Sequence, residues 1–167
     1  MLRFALPIFL SVAAAPALAD VTVRFIEGAP KDRFVIENTD TCALQDVVVE
    51  IDLSQSKAGL IFDVTGAGAG VDVFQPLEIE TGAALLVSVP QVLDGDDKVS
   101  LSLRALNPGA GLSFTIDVDD TAGTRATMIA DTEIEGAQIT VVHAGNTATS
   151  AFGRDAVATA SLSACQT

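Results

Sequence analysis

The chain has 167 residues, with nine basic against 22 acidic side chains, 49% hydrophobic residues and neither Trp nor Tyr. A formal charge of −13 repels nucleic-acid phosphates and anionic lipid surfaces, so it argues against those partners and favours cations, divalent ions included. The lack of Trp and Tyr disfavours a sugar-stacking platform or an aromatic-anchored interface, since both lean on a flat ring with a polar handle.

Met1-Leu-Arg3, an apolar run from Phe4 to Ala15, and Ala17-Leu-Ala19 before Asp20 form the layout of a secretory signal peptide with a small-residue cleavage site. Residues 1–19 are therefore expected to be removed. Residues 20–167 are expected to form one periplasmic or secreted domain of Gram-negative type, with eight basic and 22 acidic groups and a formal charge of −14. The apolar run is shorter than the roughly 20 residues a bilayer span needs, and no later segment supplies one. Cys42 and Cys165 are the only cysteines. In an oxidising compartment a disulfide between them is the economical reading, and closing so long a loop contributes roughly 5 kcal/mol in the chain-entropy account.

Residues 21–26 alternate as a strand, and the Gly and Pro of Glu27-Gly-Ala-Pro-Lys-Asp32 make a turn. A second strand over 33–37 puts Phe34 and Ile36 on one face. In 46–54, Val47, Val49, Ile51 and Leu53 point one way, while Val48, Glu50 and Asp52 point the other. A short strand over 59–63 leads into Gly66-Ala-Gly-Ala-Gly70. The extended run 71–81 contains Pro76, which suits an edge or a bend, and a further apolar run spans 85–92. Residues 99–103 and 112–120 alternate almost perfectly, with Leu112, Phe114, Ile116 and Val118 opposite Ser113, Thr115, Asp117 and Asp119. Across Asn107-Pro-Gly-Ala-Gly111 these two are expected to pair as a hairpin. Its wet face would carry Ser100, Ser102, Arg104, Ser113, Thr115 and Asp117. Strands over 125–130 and 137–143 follow, then two short ones around Gly153-Arg-Asp155.

Sustained helical spacing with caps is missing after the leader, so little helix is expected. Short strands at regular intervals, separated by Gly and Pro turns, predict an all-β fold: an immunoglobulin-like antiparallel β-sandwich, with a β-barrel as the runner-up.

The segments Phe34-Val-Ile-Glu-Asn38, Ile51-Asp-Leu-Ser54, Gly59-Leu-Ile-Phe-Asp63, Gly68-Ala-Gly-Val-Asp72 and Phe114-Thr-Ile-Asp-Val-Asp-Asp120 resemble small exported bacterial proteins labelled "aggregation factor core". The resemblance covers nearly all of the chain after the leader. It implies adhesion at a cell surface or in a matrix, and it transfers no activity and no site residues.

Two aspartate clusters suit a hard cation. Asp94, Asp96 and Asp97 precede one strand of the expected hairpin, and Asp117, Asp119 and Asp120 end the other. Antiparallel pairing would bring them to the same end. Ca²⁺ takes six to eight oxygen ligands from carboxylates, carbonyls and water, so the six aspartates form a candidate Ca²⁺ site, although their spacing is not that of an EF-hand. Solvated turn acids are the other reading. Ala67-Gly-Ala-Gly-Val-Asp-Val-Phe-Gln75 matches one imperfect copy of a β-roll Ca²⁺ repeat, and a single copy lacks the stacked neighbour such a site requires.

Catalysis is hard to assemble. His143 is the one histidine, the nucleophile elbow Gly-x-Ser-x-Gly is missing, and no Tyr can serve as an acid. Met128 and His143 are too few for a copper site. The expected function is therefore a non-enzymatic adhesion, matrix or interaction module, with Ca²⁺ as the one candidate cofactor and an unidentified protein or surface polymer as partner. A soluble periplasmic protein that binds a cation or a small ligand is the alternative.

Overall fold

Period-2 alternation of apolar side chains builds ten strands among the described residues of the computed structural model, which are 19–66, 74–122 and 129–162. They are β1 (Ala19–Ile26), β2 (Asp32–Asn38), β3 (Leu44–Asp52), β4 (Leu60–Asp63), β5 (Glu78–Thr81), β6 (Lys98–Leu106), β7 (Gly111–Asp120), β8 (Gln138–His143), β9 (Asn146–Ala151) and β10 (Val157–Leu162). The only helical piece among the described residues is a single 3₁₀ turn, Ala83–Leu85.

The strands form two antiparallel sheets. One runs β10-β1-β2-β7-β4, with β5 also on β7, and the other runs β6-β3-β8-β9. The neighbour order 1-2-7-4 in one sheet and 3-8-9 in the other is the ABED and CFG order of a constant-type immunoglobulin sandwich. To that frame β10 adds a strand beside β1, β6 a strand beside β3, and β5 a short strand beside β7. Along one side β10 packs against β8 and β9 of the facing sheet, so the sandwich curls towards closure there. The named ladders leave the two sheets separate, and the barrel is not completed.

The inward residues make one core. In register across the first sheet lie Phe25 of β1, Phe34 of β2 and Phe114 of β7. Phe34 stacks on Phe114 at 5.2 Å, tilts against Phe25 at 5.2 Å and meets Phe62 of β4 edge-on at 6.4 Å. Val47, Val49 and Ile51 of β3, Leu101 and Leu103 of β6, and Ile139 and Val141 of β8 close the core from the other sheet. All are buried, as the alternation predicted.

The expected hairpin does not form. β6 pairs with β3 and β7 pairs with β2, so the connection through residues 107–110 crosses from one sheet to the other. Alternation identifies an inward face, and both strands do point Leu and Val inwards, but they do so from opposite sides of the core. Buried Asn38 pins the crossing. Its Nδ2 donates to the carbonyls of Leu106 (2.8 Å) and Cys42 (2.6 Å), its backbone N–H donates to Ala110 O, and its carbonyl accepts the Gly109 N–H. The predicted wet face divides accordingly. Ser100, Ser102 and Arg104 are exposed on the second sheet, whereas Ser113, Thr115 and Asp117 are buried on the outer side of the first.

Other expectations shift in smaller ways. The apolar run 85–92 forms no strand but a strap along β6, joined by a bridge from Leu86 to Leu103 and by the Val87 N–H donated to Ser102 O. Prolines 76 and 90 deny this region two ladder donors. The strand expected over 71–81 is limited to Glu78–Thr81 among the described residues. The glycine stretch 67–70, the repeat-like segment up to residue 73 and most of the strand expected over 125–130 lie outside the described residues, as do residues 1–18 of the expected leader. Ala19, the last residue of that leader, opens β1 opposite Leu162. Cys165 also lies outside the described residues. Cys42, its expected disulfide partner, packs against the core and is not a free thiol.

Because Phe34 touches three rings at the centre of the first sheet, Phe34→Ala is expected to cost roughly 3–5 kcal/mol of stability. Urea unfolding of the purified protein checks this; a loss below about 1 kcal/mol would show that the ring cluster is not central to the core.

Candidate metal centre

A central strand with neighbours on both edges has its backbone donors and acceptors paired, which leaves its two side-chain faces to be covered separately. On β7 the inward face is Leu112, Phe114, Ile116 and Val118, and the outward face is Ser113, Thr115, Asp117 and Asp119, yet all of these are buried. Part of the cover comes from ion pairs that arch over the strand. Arg33 of β2 sits beside Thr115 and bonds Glu80 of β5, while Lys31 reaches Glu78. Thr115 and its neighbours are thereby shielded from water, although two pairing partners of β7, β4 and β5, are only four residues long.

The acids of this outer face converge with a third strand. β4 pairs with the end of β7 so that Asp63 stands opposite Asp117 and Ile61 opposite Asp119. Leu60 and Phe62 point into the core, so Asp63 points outwards beside Asp117 and Asp119. One carboxylate oxygen from each of Asp63, Asp117 and Asp119 lies within 4.8 Å of the other two. The three residues are 1%, 4% and 2% exposed. Both oxygens of Asp63 and Oδ2 of Asp117 are buried without a hydrogen-bond donor among the described residues. Among those residues no lysine or arginine forms an ion pair with Asp32, Asp63 or Asp117.

Two further carboxyls border the trio. The turn at residues 94–97 lies along the free edge of β4, where Phe62 donates its N–H to Asp96 O and accepts the Gly95 N–H. There Asp94 Oδ1 accepts the N–H groups of Val64 and Thr65, both at 3.0 Å, and the Asp94 carboxyl adjoins that of Asp63. On the other side, Asp32 at the start of β2 accepts the Gly28 N–H at 3.0 Å and the Val118 N–H, and its charge acts on Asp117.

The electrostatics follow from burial. Desolvation, reinforced by the carboxyls of Asp94 and Asp119, pushes Asp63 up to about 7. Asp117 is also raised to about 7, by burial and then by Asp119 and Asp32. Asp32 rises to about 7 by burial and then by Asp119 and Glu27, against the pull of its two backbone donors. Two like charges some 5 Å apart repel by roughly 3 kcal/mol at an effective dielectric near 20. Adjacent carboxylates share a hydrogen bond only if one is protonated, so at neutral pH the cluster is relieved by protons or by a cation.

The donors are oxygens only, which selects a hard cation such as Ca²⁺ over thiolate- or imidazole-seeking metals. Carbonyls and waters would complete the six to eight ligands. Of the six predicted aspartates, the structure brings together Asp94, Asp117 and Asp119. Asp96 instead turns back to accept the Leu93 N–H at 2.7 Å, closing its own turn. Asp97 carries the chain into β6, its carbonyl accepting the Leu53 N–H. Asp120 alternates to the opposite face of β7 from Asp119, beside Leu60 in the β4 register, and lines a separate hollow of about 260 Å³ with Lys57 and Glu133. Sequence reasoning missed Asp63 and Asp32. The one available signal for Asp63 was its position after Leu60 and Phe62 in an alternating strand, which places an acid at a strand end near other acids. His143 lies at the end of β8 in the other sheet, where its Nε2 accepts the Gln45 N–H at 3.4 Å.

Raised carboxyl pKa values give a defined pH response. Below about pH 4 the three groups are protonated whether the chain is folded or not. Between about 4 and 7 the folded state binds more protons than the unfolded state, so stability falls as pH rises. The metal-stripped protein is expected to lose roughly 5 °C or more in melting temperature from pH 5 to pH 8, and saturating Ca²⁺ to abolish most of that loss. Calorimetric scans with and without chelator check this; a flat profile in chelator would mean that these carboxyls are not desolvated.

No protein-family model, curated protein or solved structure matches the chain.

Proposed function

We propose that the protein is an exported, non-enzymatic β-sandwich module that binds a divalent cation of the Ca²⁺ type through Asp63, Asp117 and Asp119, with Asp94 beside them. The ion serves adhesion or matrix contacts with a protein or surface polymer. One observation carries the cation reading: among the described residues both oxygens of Asp63 and Oδ2 of Asp117 are buried without donors, in a trio in which one carboxylate oxygen from each of Asp63, Asp117 and Asp119 lies within 4.8 Å of the others. Leaving buried carboxylates uncompensated costs several kcal/mol each, and a doubly charged ion relieves all three at once.

The interaction half of the reading draws on the leader-like first 19 residues, on the resemblance to the aggregation-factor-core proteins, and on the surface. Val87 and Val89 of the strap and Leu93 just after it are 50%, 61% and 59% exposed, an apolar row in sequence whose side chains are the most exposed of the large apolar residues described. Such rows mark contact sites more often than isolated apolar residues do.

Calorimetric titration of Ca²⁺ into metal-stripped protein is expected to give saturable binding. Asp117→Asn combined with Asp119→Asn should weaken it roughly 100-fold or more, whereas Asp97→Asn should leave it within about twofold. Equal affinity in all three proteins would dismiss this centre. For the adhesive role, beads coated with the protein are expected to clump in Ca²⁺ and disperse in chelator. Binding of Ca²⁺ without any clumping, and without retention on cells, would favour the soluble periplasmic cation-binding protein instead.

A further inference from the structure

Directly opposed like charges destabilise an antiparallel pair, and the β4–β7 ladder carries such a pair at one end. Asp63 faces Asp117 in register, with Asp119 diagonal to it on the same outer face. The other end of β4 is firmly held. Leu60 and Phe62 are buried in the core, and the Gly59 carbonyl accepts both the N–H and the Oγ1–H of Thr121, the latter at 2.7 Å.

Around Asp63, the free edge of β4 and the residues just after it are bonded to the 93–97 turn through Phe62, Val64 and Thr65. The Asp63 end of β4 and this turn therefore form a single hydrogen-bonded unit. On the β7 side that unit meets carboxylates, and the Asp117 N–H is given to Gln75 O, while Gln75 itself donates to Asp63 O.

We propose that the cation is a clasp: by bridging Asp63 on β4 to Asp117 and Asp119 on β7, it holds the Asp63 end of β4 and the 93–97 turn against the sheet, and its removal loosens that unit alone. This rests on the cation-site reading above and deepens it, because the ion then controls the order of one defined part of the surface. The strap that ends just before Leu93 runs directly into the clasped turn, so ion binding is transmitted to the apolar row of Val87, Val89 and Leu93. The other ladders of β7, with β2 and β5, carry no such opposed acids, and they and the second sheet stay closed in either state.

Hydrogen exchange read by mass spectrometry tests this on the full chain, stripped with chelator and then loaded with Ca²⁺. Amides of residues 61–65 and 93–96 are expected to exchange at least about tenfold more slowly in Ca²⁺, while those of β3 and β8 change less than twofold. Asp63→Asn removes the repulsion and a ligand together. In chelator its 61–65 amides should therefore exchange at least about threefold more slowly than those of the stripped wild type, with no further gain from Ca²⁺; Asp117→Asn should behave alike if the first variant folds poorly. A wild-type protein that binds Ca²⁺ calorimetrically but shows unchanged exchange at these residues, or slowing spread evenly over both sheets, overturns the clasp and leaves the cation site standing. Absence of calorimetric Ca²⁺ binding removes both.

Discussion

The burial of both faces of β7 is the constraint on which the rest of the structure depends. Its inner face supplies Phe114, Ile116 and Val118 to the core, where Phe34 and Phe62 close around them. Its outer face carries Ser113, Thr115, Asp117 and Asp119 into an equally dry setting. An apolar face is stabilised by that burial at about 25 cal/mol per Å², whereas a row of acids is destabilised unless each charge is neutralised or bonded. The strand that does most to organise the sandwich thus also concentrates its largest unsettled electrostatic term.

The two-sheet topology decides which acids share that term. Were β6 and β7 a hairpin, the acids before β6 and those ending β7 would meet directly. Instead β4 stands between them, contributing Asp63 to the trio on one edge and receiving the Asp94 turn on the other. A strand of four residues is enough for this because Leu60 and Phe62 anchor it from below. An outward carboxylate on an inwardly anchored strand has little freedom to swing into water, so relief must come to the site. That burial is what the proposed cation reading rests on, and an all-oxygen donor set would suit Ca²⁺.

Surface and site are joined by short covalent distances. The strap that covers the edge of β6 exposes its valines and then, from exposed Leu93, becomes the turn whose backbone pairs with β4. On the proposed reading, an ion at the aspartates would act on an exposed part of the molecule. The ion pairs Arg33–Glu80 and Lys31–Glu78 are solvent-facing, so they contribute mainly cover for Thr115 and little net energy.

From the sequence alone, alternation determined that residues such as Phe34, Val49, Leu101 and Phe114 face a shared core, and Gly and Pro punctuation determined that short strands stack as a sandwich. Those properties are local, since a period of two residues follows from strand geometry itself. Aspartates 94, 117 and 119 were legible as candidate ligands because acids next to strand ends suit a hard cation. Pairing was not legible: the identical inward pattern of β6 and β7 fits one sheet or two, and only the crossing held by Asn38 separates them. Nor could the sequence show that Asp117 and Asp119 are dry, that Asp96 and Asp120 turn away, or that Asp63 and Asp32 belong beside them. Burial of a polar face depends on what long-range neighbours lay over it, and here those neighbours come from β2, β4 and β5, distant in the chain and adjacent only in the folded sheet.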